Sequence, residues 1–236
     1  MILLTGGSGL LGRELQKHLK VLTPPRSEFD ITGHWMERID YTMLHDVSLI
    51  VHCAAFTDLV RAEKEKDLCY ATNVIGTRNI ASLGIPMIYI STEYVFDGEK
   101  GLYEEEDAPN PLNYYALTKL LGEYEARRAP RSVIIRCLFK PRPFKHEVVC
   151  HDSFTSGDYV ERIAPQIASA VKNFTLLPDT IHIGTGRKNL ETIARETRPE
   201  IGTISVLDVK GVRLPKDTSL NCAKWERIKR DNKIGC

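Results

Sequence analysis

The stretch LLTGGSGLLGREL, residues 3–15, decides the fold. An apolar run ends at Thr5, three glycines follow at positions 6, 9 and 12, and an amphipathic pattern begins at once. A strand that runs into a glycine turn and opens a helix is the start of a βαβ unit. Gly6 suits the tight turn, Gly9 lets backbone approach an anion, and Gly12 permits close helix–strand packing. Together with Ser8, Leu10 and Leu11, these residues are the predicted cradle for a dinucleotide pyrophosphate, held at the N-terminus of the helix.

Working outward, short apolar runs alternate with longer amphipathic stretches. MILLT (1–5), VSLIVHC (47–53), IPMIYIS (85–91) and SVIIRCLF (132–139) are continuous Ile-, Leu- and Val-rich runs. Such runs suit strands covered on both faces, as in a parallel sheet. LLGRELQKHL (10–19), EKDLCYATNVIGTRNIASL (65–83), NYYALTKLLGEYEARR (113–128) and SGDYVERIAPQIASAV (156–171) are predicted helices. Pro165 is expected to kink the last of these or to begin a new turn. TIHIGTG (180–186) reads as one more strand and LETIARETRP (190–199) as a short helix stopped by Pro199. The rhythm predicts an α/β fold of Rossmann type, a doubly wound parallel sheet with a small, shortened C-terminal substrate lobe. Residues 1–140 are assigned to the dinucleotide-binding domain, with a further strand and helix from about 156–184. Residues 141–155 and 185–236, richer in Pro, Lys and Arg, are assigned to the lobe.

Bulk properties narrow the function. With 42% hydrophobic and 27% charged residues among 236, the chain has the composition of a soluble globular protein. A net charge of +1 favours neither nucleic acid nor an anionic membrane as partner. The apolar start breaks at glycines, so no signal peptide is expected, and no apolar run reaches a membrane span. Cys53, Cys69, Cys137, Cys150, Cys222 and Cys236 are scattered without a C-x-x-C, which reads as reduced thiols in a cytoplasmic protein. Cys150, His151 and His146 lack a second ligand pair at metal-site spacing, and no metal is expected. Trp35 and Trp225 are read as packing residues.

The end of the second strand bears on the choice of cofactor. In VLTPPRSEFD (21–30), Thr23 stands where NAD sites often carry an acid, and Arg26 follows. A missing acid beside an arginine favours a ribose 2′-phosphate, hence NADP(H), with NAD(H) an acceptable second. Asp30 and Ile31 are placed beside the adenine. Small residues after the third strand, Cys53, Ala54 and Ala55, would let the cofactor pass close to the backbone.

Chemistry is expected where the strands end. Thr92 closes the IPMIYIST run, and a hydroxyl there can hold a carbonyl oxygen. In NYYALTK, Tyr115 and Lys119 are at i and i+4 on one helical face, whereas Tyr114 has Thr118 at that spacing. A threonine, a tyrosine and a lysine beside a nicotinamide make a carbonyl-reduction site. The tyrosine is the proton donor, its pKa is expected to be lowered by Lys119 together with the nicotinamide charge of the oxidised cofactor, and the lysine also holds the ribose.

The set TGGSGLLG, HCAAFT (52–57), ISTEYVFDG (90–98) and NYYALTKLLGE (113–123) resembles the extended short-chain dehydrogenase/reductases, and within them the dTDP-4-dehydrorhamnose reductase family. The resemblance is clear to about residue 136. It implies Thr92, Tyr115 and Lys119 as the catalytic set, and sugar contacts at Thr57, Thr92, Glu93 and Tyr94. There are departures: Glu93 stands where the family has Asp, Val60 replaces an Asp, Ala116 replaces a Gly, and the chain is shorter than typical members.

A nucleotide-diphosphate sugar needs cations. RCLFKPRPFKH (136–146) offers Arg136, Lys140, Arg142 and Lys145, and GVRLPKDTSLNCAKW (211–225) offers Arg213 and Lys216. Arg142 and Arg213 are the residues assigned to substrate. The expected activity is reduction of a nucleotide-linked 4-keto-6-deoxyhexose. Two alternatives stay open: an epimerase or dehydratase on the same fold, and a cofactor-binding regulatory subunit without turnover. A homodimer is an admissible assembly.

Overall fold

The computed structural model describes residues 1–33 and 41–234; Trp35 and Cys236 lie outside them. The first half of the chain runs β1 (Ile2–Thr5), α1 (Leu10–Leu15), β2 (Val21–Leu22), β3 (Leu49–His52), α2 (Leu59–Lys64), α3 (Lys66–Tyr70), α4 (Gly76–Ala81), β4 (Met87–Thr92), α5 (Tyr114–Ala126) and β5 (Ser132–Cys137). The second half runs β6 (Phe139–Lys140), β7 (Val148–Cys150), β8 (Phe154–Thr155), β9 (Asp158–Tyr159), α6 (Val160–Lys172), β10 (Thr180–His182), β11 (Lys188–Asn189), α7 (Leu190–Arg195), β12 (Gly202–Ile204) and α8 (Ala223–Asp231).

Six strands form one parallel sheet in the order β10-β5-β4-β3-β1-β2. The chain leaves β1 on one side for β2 and returns on the other for β3, so the winding reverses between β1 and β3. A crevice at that switch point, outside the carboxyl ends of the strands, is where open α/β sheets bind ligands. All residues of β3 and β4 are buried, as continuous apolar strands require when helices cover both faces. Alternate side chains feed two cores. Leu4, Val51, Ile88, Val133 and Ile135 pack with Leu11 and Leu15 of α1, Ile163 and Ile167 of α6, and Trp225 of α8. Leu3, Ile50, Met87, Tyr89 and Ile134 pack with Ile80 of α4 and Ala126 of α5. Each such side chain contributes about 1.5–3 kcal/mol on burial.

Several elements differ from the sequence pattern. The first helix stops at Leu15, and the Gln16 amide turns back to donate to the Gly7 carbonyl at 2.8 Å. The predicted helix over 65–83 is continuous from Lys66 to Ala81, with a π turn over Ala71–Ile75 set between α3 and α4 and helical dihedrals at both junctions. Wide turns of this kind are rare and concentrate at functional sites. α2 gave no periodic signal; it is capped by Asp58, whose carboxylate accepts from the Arg61 N–H at 2.9 Å. α6 continues through Pro165. Trp225 is fully buried, and its indole N–H donates to Gln166 at 3.2 Å. Cys53, Cys69, Cys137, Cys150 and Cys222 are free thiols. No helix among the described residues is long and apolar enough to cross a membrane.

Beyond β5 the chain forms two-stranded pairs, β6 with β9, β8 with β11 and β7 with β12. They surround a third apolar cluster of Phe144, Val149, Tyr159, Leu190, Ile193 and Ile201. A late segment returns to the loop after β4, where Leu220 bridges Tyr103, and to β8, where Asp217 bridges Phe154.

Helix α5 starts at Asn113, whose side chain accepts from the Ala116 N–H at 2.9 Å. Tyr115, Lys119 and Glu123 then fall on one buried face at i, i+4 and i+8. Glu123 accepts from Ser91 Oγ at 2.6 Å and from Arg136 Nε and Nη2 at 2.9 and 2.8 Å. This ion pair is almost wholly buried and ties α5 to both β4 and β5. Removing one partner strands the other charge, a loss of about 3–5 kcal/mol. Arg136→Met is therefore expected to lower the urea midpoint sharply, and Arg136→Met/Glu123→Leu to recover part of the loss. A single variant as stable as the parent would remove the pair from this account.

Candidate active site at the carboxyl edge of the sheet

The glycine turn is built to two different demands. Gly6 has φ of +72°, and a Cβ there would lie 2.6 Å from the Ala54 nitrogen. A Cβ on Gly12 would lie 2.2 Å from the Gly6 carbonyl oxygen. Both glycines are required by the protein's own packing, which brings the first turn against the loop after β3. At Gly9 a Cβ would meet only the Gly6 oxygen, at 3.1 Å, so its outer side is open. No side chain caps α1, which leaves its first N–H groups for an outside acceptor. Ser8 is exposed, and its carbonyl accepts from Arg13. Leu11 and Leu10 belong to the core beneath the sheet, so only their backbone N–H groups can serve a ligand.

Thr23 lies against this turn, its hydroxyl occupying the space a Cβ on Gly7 would need. Arg26 is exposed and donates to Asp30 at 3.0 Å. Asp30 also accepts from the Thr32 N–H and hydroxyl at 2.9 and 2.8 Å. Burial pushes the Asp30 carboxyl up, but the bonds from Thr32 and Arg26 prevail and hold it below its ordinary value. The Ile31 side chain is buried in the core that contains Leu3, and its carbonyl accepts from Asn79 at 2.8 Å.

Cys53, Ala54 and Ala55 are half-buried at the end of β3. Burial pushes the Cys53 thiol up to about 12, so it is neutral. Beside it, His52 is buried between two hydroxyls, Thr5 at 2.6 Å and Thr77 at 3.1 Å. Thr77 gives its one proton to the Asn73 carbonyl at 2.7 Å. It must therefore accept from His52 Nε2–H, which leaves Nδ1 to accept from Thr5. Burial lowers the imidazole to about 3, in keeping with this neutral form. Asn73 continues the connection: its side-chain oxygen accepts from the Phe56 N–H at 2.8 Å, and its amide donates to Phe56 O at 3.1 Å and to Thr118 Oγ1 at 2.9 Å. Asn73 joins the loop after β3 to α5. Sequence reasoning missed it; the signal available was a polar residue inside an otherwise apolar helical face, ATNVIG (71–76).

The structure brings Thr92, Tyr115 and Lys119 together. Tyr115 is buried, and its phenol faces and interacts with the Thr92 hydroxyl. Lys119 is buried one turn on; its ammonium donates to the Ile90 carbonyl at 2.7 Å and stands 4.0 Å from the centre of the Tyr89 ring. Burial draws Lys119 down to about 8, against the carboxylate of Glu123. The expected lowering of the Tyr115 pKa by Lys119 is not found. Burial pushes the phenol above its usual range, with Thr92 acting the other way, while Lys119 is engaged elsewhere. Tyr114 does have a charged neighbour, since the Lys66 ammonium stands 5.3 Å from its ring centre, and its ring packs on the cluster that includes Ala62 of α2 and Cys69 of α3.

The residues assigned to substrate are more dispersed. Thr57 is exposed and Tyr94 half-buried. Glu93 is fully buried, accepting from Thr218 Oγ1 at 2.7 Å and Ser156 Oγ at 3.4 Å, and burial raises it to about 7. Its carboxylate meets the returning segment 215–222. Arg142 is exposed, 5.2 Å from the centre of the Tyr159 ring. Arg213 lines a surface hollow of about 620 Å³ with Glu63, Asp97, Leu112 and Leu207, and its carbonyl accepts from Asn113 at 3.0 Å. Arg136, an expected phosphate partner, is taken up by Glu123.

The two glycine demands separate by substitution. Gly9→Val is expected to fold with a nearly unchanged thermal midpoint and to lose NADPH binding in calorimetry, whereas Gly12→Val is expected not to fold. Unaltered NADPH affinity in Gly9→Val would remove this turn from the site.

Comparisons with known proteins bear on the family and the fold. A family profile described as "RmlD substrate binding domain" matches residues 1–139. The chain is 32% identical over 190 residues to a dTDP-4-dehydrorhamnose reductase from Aggregatibacter actinomycetemcomitans, covering 75% of this chain and 58% of that one. It is 36% identical over 137 residues to methionine adenosyltransferase 2 subunit beta from Rattus norvegicus, covering 52% of this chain and 41% of that one. A dTDP-4-dehydrorhamnose reductase structure from Clostridium acetobutylicum superposes with a TM-score of 0.84 at 26% identity, over 96% of this chain and 91% of that one. The chain spans about half the length of the curated relatives it matches. With the match running from the glycine turn through β5, the chain belongs to the RmlD substrate binding domain family.

Proposed function

We propose that the protein reduces the 4-keto group of a nucleotide-linked 6-deoxyhexose, of the dTDP- or UDP-4-keto-rhamnose type, with NADP(H) preferred over NAD(H). The observation that carries this reading is the buried phenol of Tyr115 facing the Thr92 hydroxyl, with the Lys119 ammonium one turn away. The similarity to a dTDP-4-dehydrorhamnose reductase supports it.

The residues fit a dinucleotide. Gly9 leaves an open cradle at an uncapped helix start, and Ala54 and Ala55 flank it across the switch point. Arg26 is available to a 2′-phosphate, because an exposed ion pair such as that with Asp30 contributes only about 0–1 kcal/mol and is readily exchanged. Bound NADPH would supply the hydride. Thr92 would hold the carbonyl oxygen, and Tyr115 would give it a proton. A phenol whose pKa is raised by burial is fully protonated at neutral pH, which is the form a donor needs in the reducing direction. Lys119 would hold the nicotinamide ribose.

The second reading, a regulatory subunit, rests on the 36% identity to methionine adenosyltransferase 2 subunit beta. Cofactor consumption separates the two: a reductase uses NADPH stoichiometrically with product, and a regulatory subunit binds it without turnover.

Two outcomes are expected of the reductase. Tyr115→Phe keeps the ring and should lower turnover by about 10²–10⁴-fold with NADPH still bound, while Tyr114→Phe should lose far less. Equal losses at both tyrosines would contradict the assignment. The pH dependence follows from Lys119, whose charged form is present below about 8 and lost above it. The value of kcat/KM should therefore fall as pH rises through about 8 and lose that limb in Lys119→Met. A wild-type profile flat to pH 10 would exclude the lysine's part.

A further inference from the structure

The basic run after β5 carries four cations, and the structure separates them. Arg136 is committed to Glu123. Arg142 and Lys145 are exposed. Lys140 is half-buried, and among the described residues no hydrogen bond or ion pair reaches its ammonium.

Its position in the fold is defined by the sheet. Thr92 and Cys137 are register partners at the carboxyl ends of β4 and β5. Lys140 lies three residues beyond Cys137, a span of at most about 11 Å. The backbone there is fixed by pairing of β6 with β9, where Lys140 faces Tyr159. The ammonium lies within electrostatic reach of Glu93, the residue that follows Thr92.

The groups whose charge it feels do not neutralise it. Glu93 is nearest in electrostatic influence, but its carboxylate is bonded by Thr218 and Ser156 and makes no ion pair with Lys140. Cys150 is held as a thiol, because burial and Asp152 push it up. His146, lowered by burial and by Lys140 and Lys145, adds no negative charge. A desolvated cation without a committed counter-ion is unfavourable and is retained where a ligand supplies the anion.

We propose that Lys140 binds the diphosphate that joins sugar to nucleoside in the substrate. This rests on the reductase reading above and adds a specificity residue to it. Arg142 and Arg213 stay in solvent and are secondary to it.

The test uses Lys140→Met and Lys140→Arg in the full chain, with thermal midpoints as a folding control. Lys140→Met should raise KM for an accepted 4-keto sugar nucleotide about tenfold or more, leave kcat within about twofold, and leave NADPH affinity unchanged; Lys140→Arg should restore most of the loss. Calorimetry with dTDP and UDP alone tests the diphosphate contact directly. A matching loss of nucleoside diphosphate affinity in Lys140→Met supports the proposal. Unchanged nucleoside diphosphate affinity in Lys140→Met, whatever its KM, contradicts it. Should the wild type consume no NADPH with any 4-keto sugar nucleotide, the reductase reading fails, and the calorimetry with dTDP and UDP still decides Lys140.

Discussion

The carboxylate of Glu123 is buried among groups that converge on it from three elements: the Arg136 guanidinium of β5, the Ser91 hydroxyl of β4 and, one turn back on α5, the Lys119 ammonium. A charge this deep is stable only when paired and hydrogen-bonded, so the pairing fixes how α5 lies on the sheet. Tyr115 is two turns from Glu123 on the same face and has no freedom left once that face is set. Lys119 then reaches the Ile90 carbonyl, and the phenol lies beside Thr92. The strand end and the helix thus meet as a consequence of an ion pair that itself touches no ligand.

A second constraint acts across the sheet. β1 and β3 are neighbours, and the glycine turn after one presses on Ala54 after the other so closely that Gly6 accepts no side chain. The ordered bonds Thr5–His52–Thr77–Asn73 run beneath that contact, and Asn73 carries them on to Phe56 and Thr118. Every proton in this series has one direction, because each hydroxyl donates once and the imidazole is neutral. The series links the turn assigned to the cofactor with the helix assigned to acid catalysis.

What was legible in the sequence is what depends on neighbours along the chain. The glycine spacing, the continuous apolar strands and the i, i+4 relation of Tyr115 to Lys119 are local, and the doubly wound sheet follows from them. Glu123 with Arg136, and Asn73 with Phe56 and Thr118, are not local; their partners are set only when the sheet assembles. Arg136 looked like a phosphate ligand because a basic run carries no mark of which cation is already paired. The π turn at Asn73 widens a stretch that reads as one helix and stays continuous, and the sequence pattern does not mark where the widening falls. The raised phenol of Tyr115 differs from expectation for a related reason: proximity to a lysine in sequence says nothing of burial, and burial is the larger effect. For the same reason the basic run named both Lys140 and Arg142 without showing that the first is half-buried and the second exposed.

The central claim is that this edge of the sheet moves a hydride to a sugar carbonyl carbon. It is tested most directly with NADPH carrying deuterium at its transferable position, a nucleotide 4-keto-6-deoxyhexose, and mass and NMR analysis of the sugar. The account predicts one deuterium at C4 of the product for each NADPH oxidised, and almost none over the same interval with Tyr115→Phe. Tight NADPH binding with no label reaching any 4-keto sugar nucleotide would contradict it.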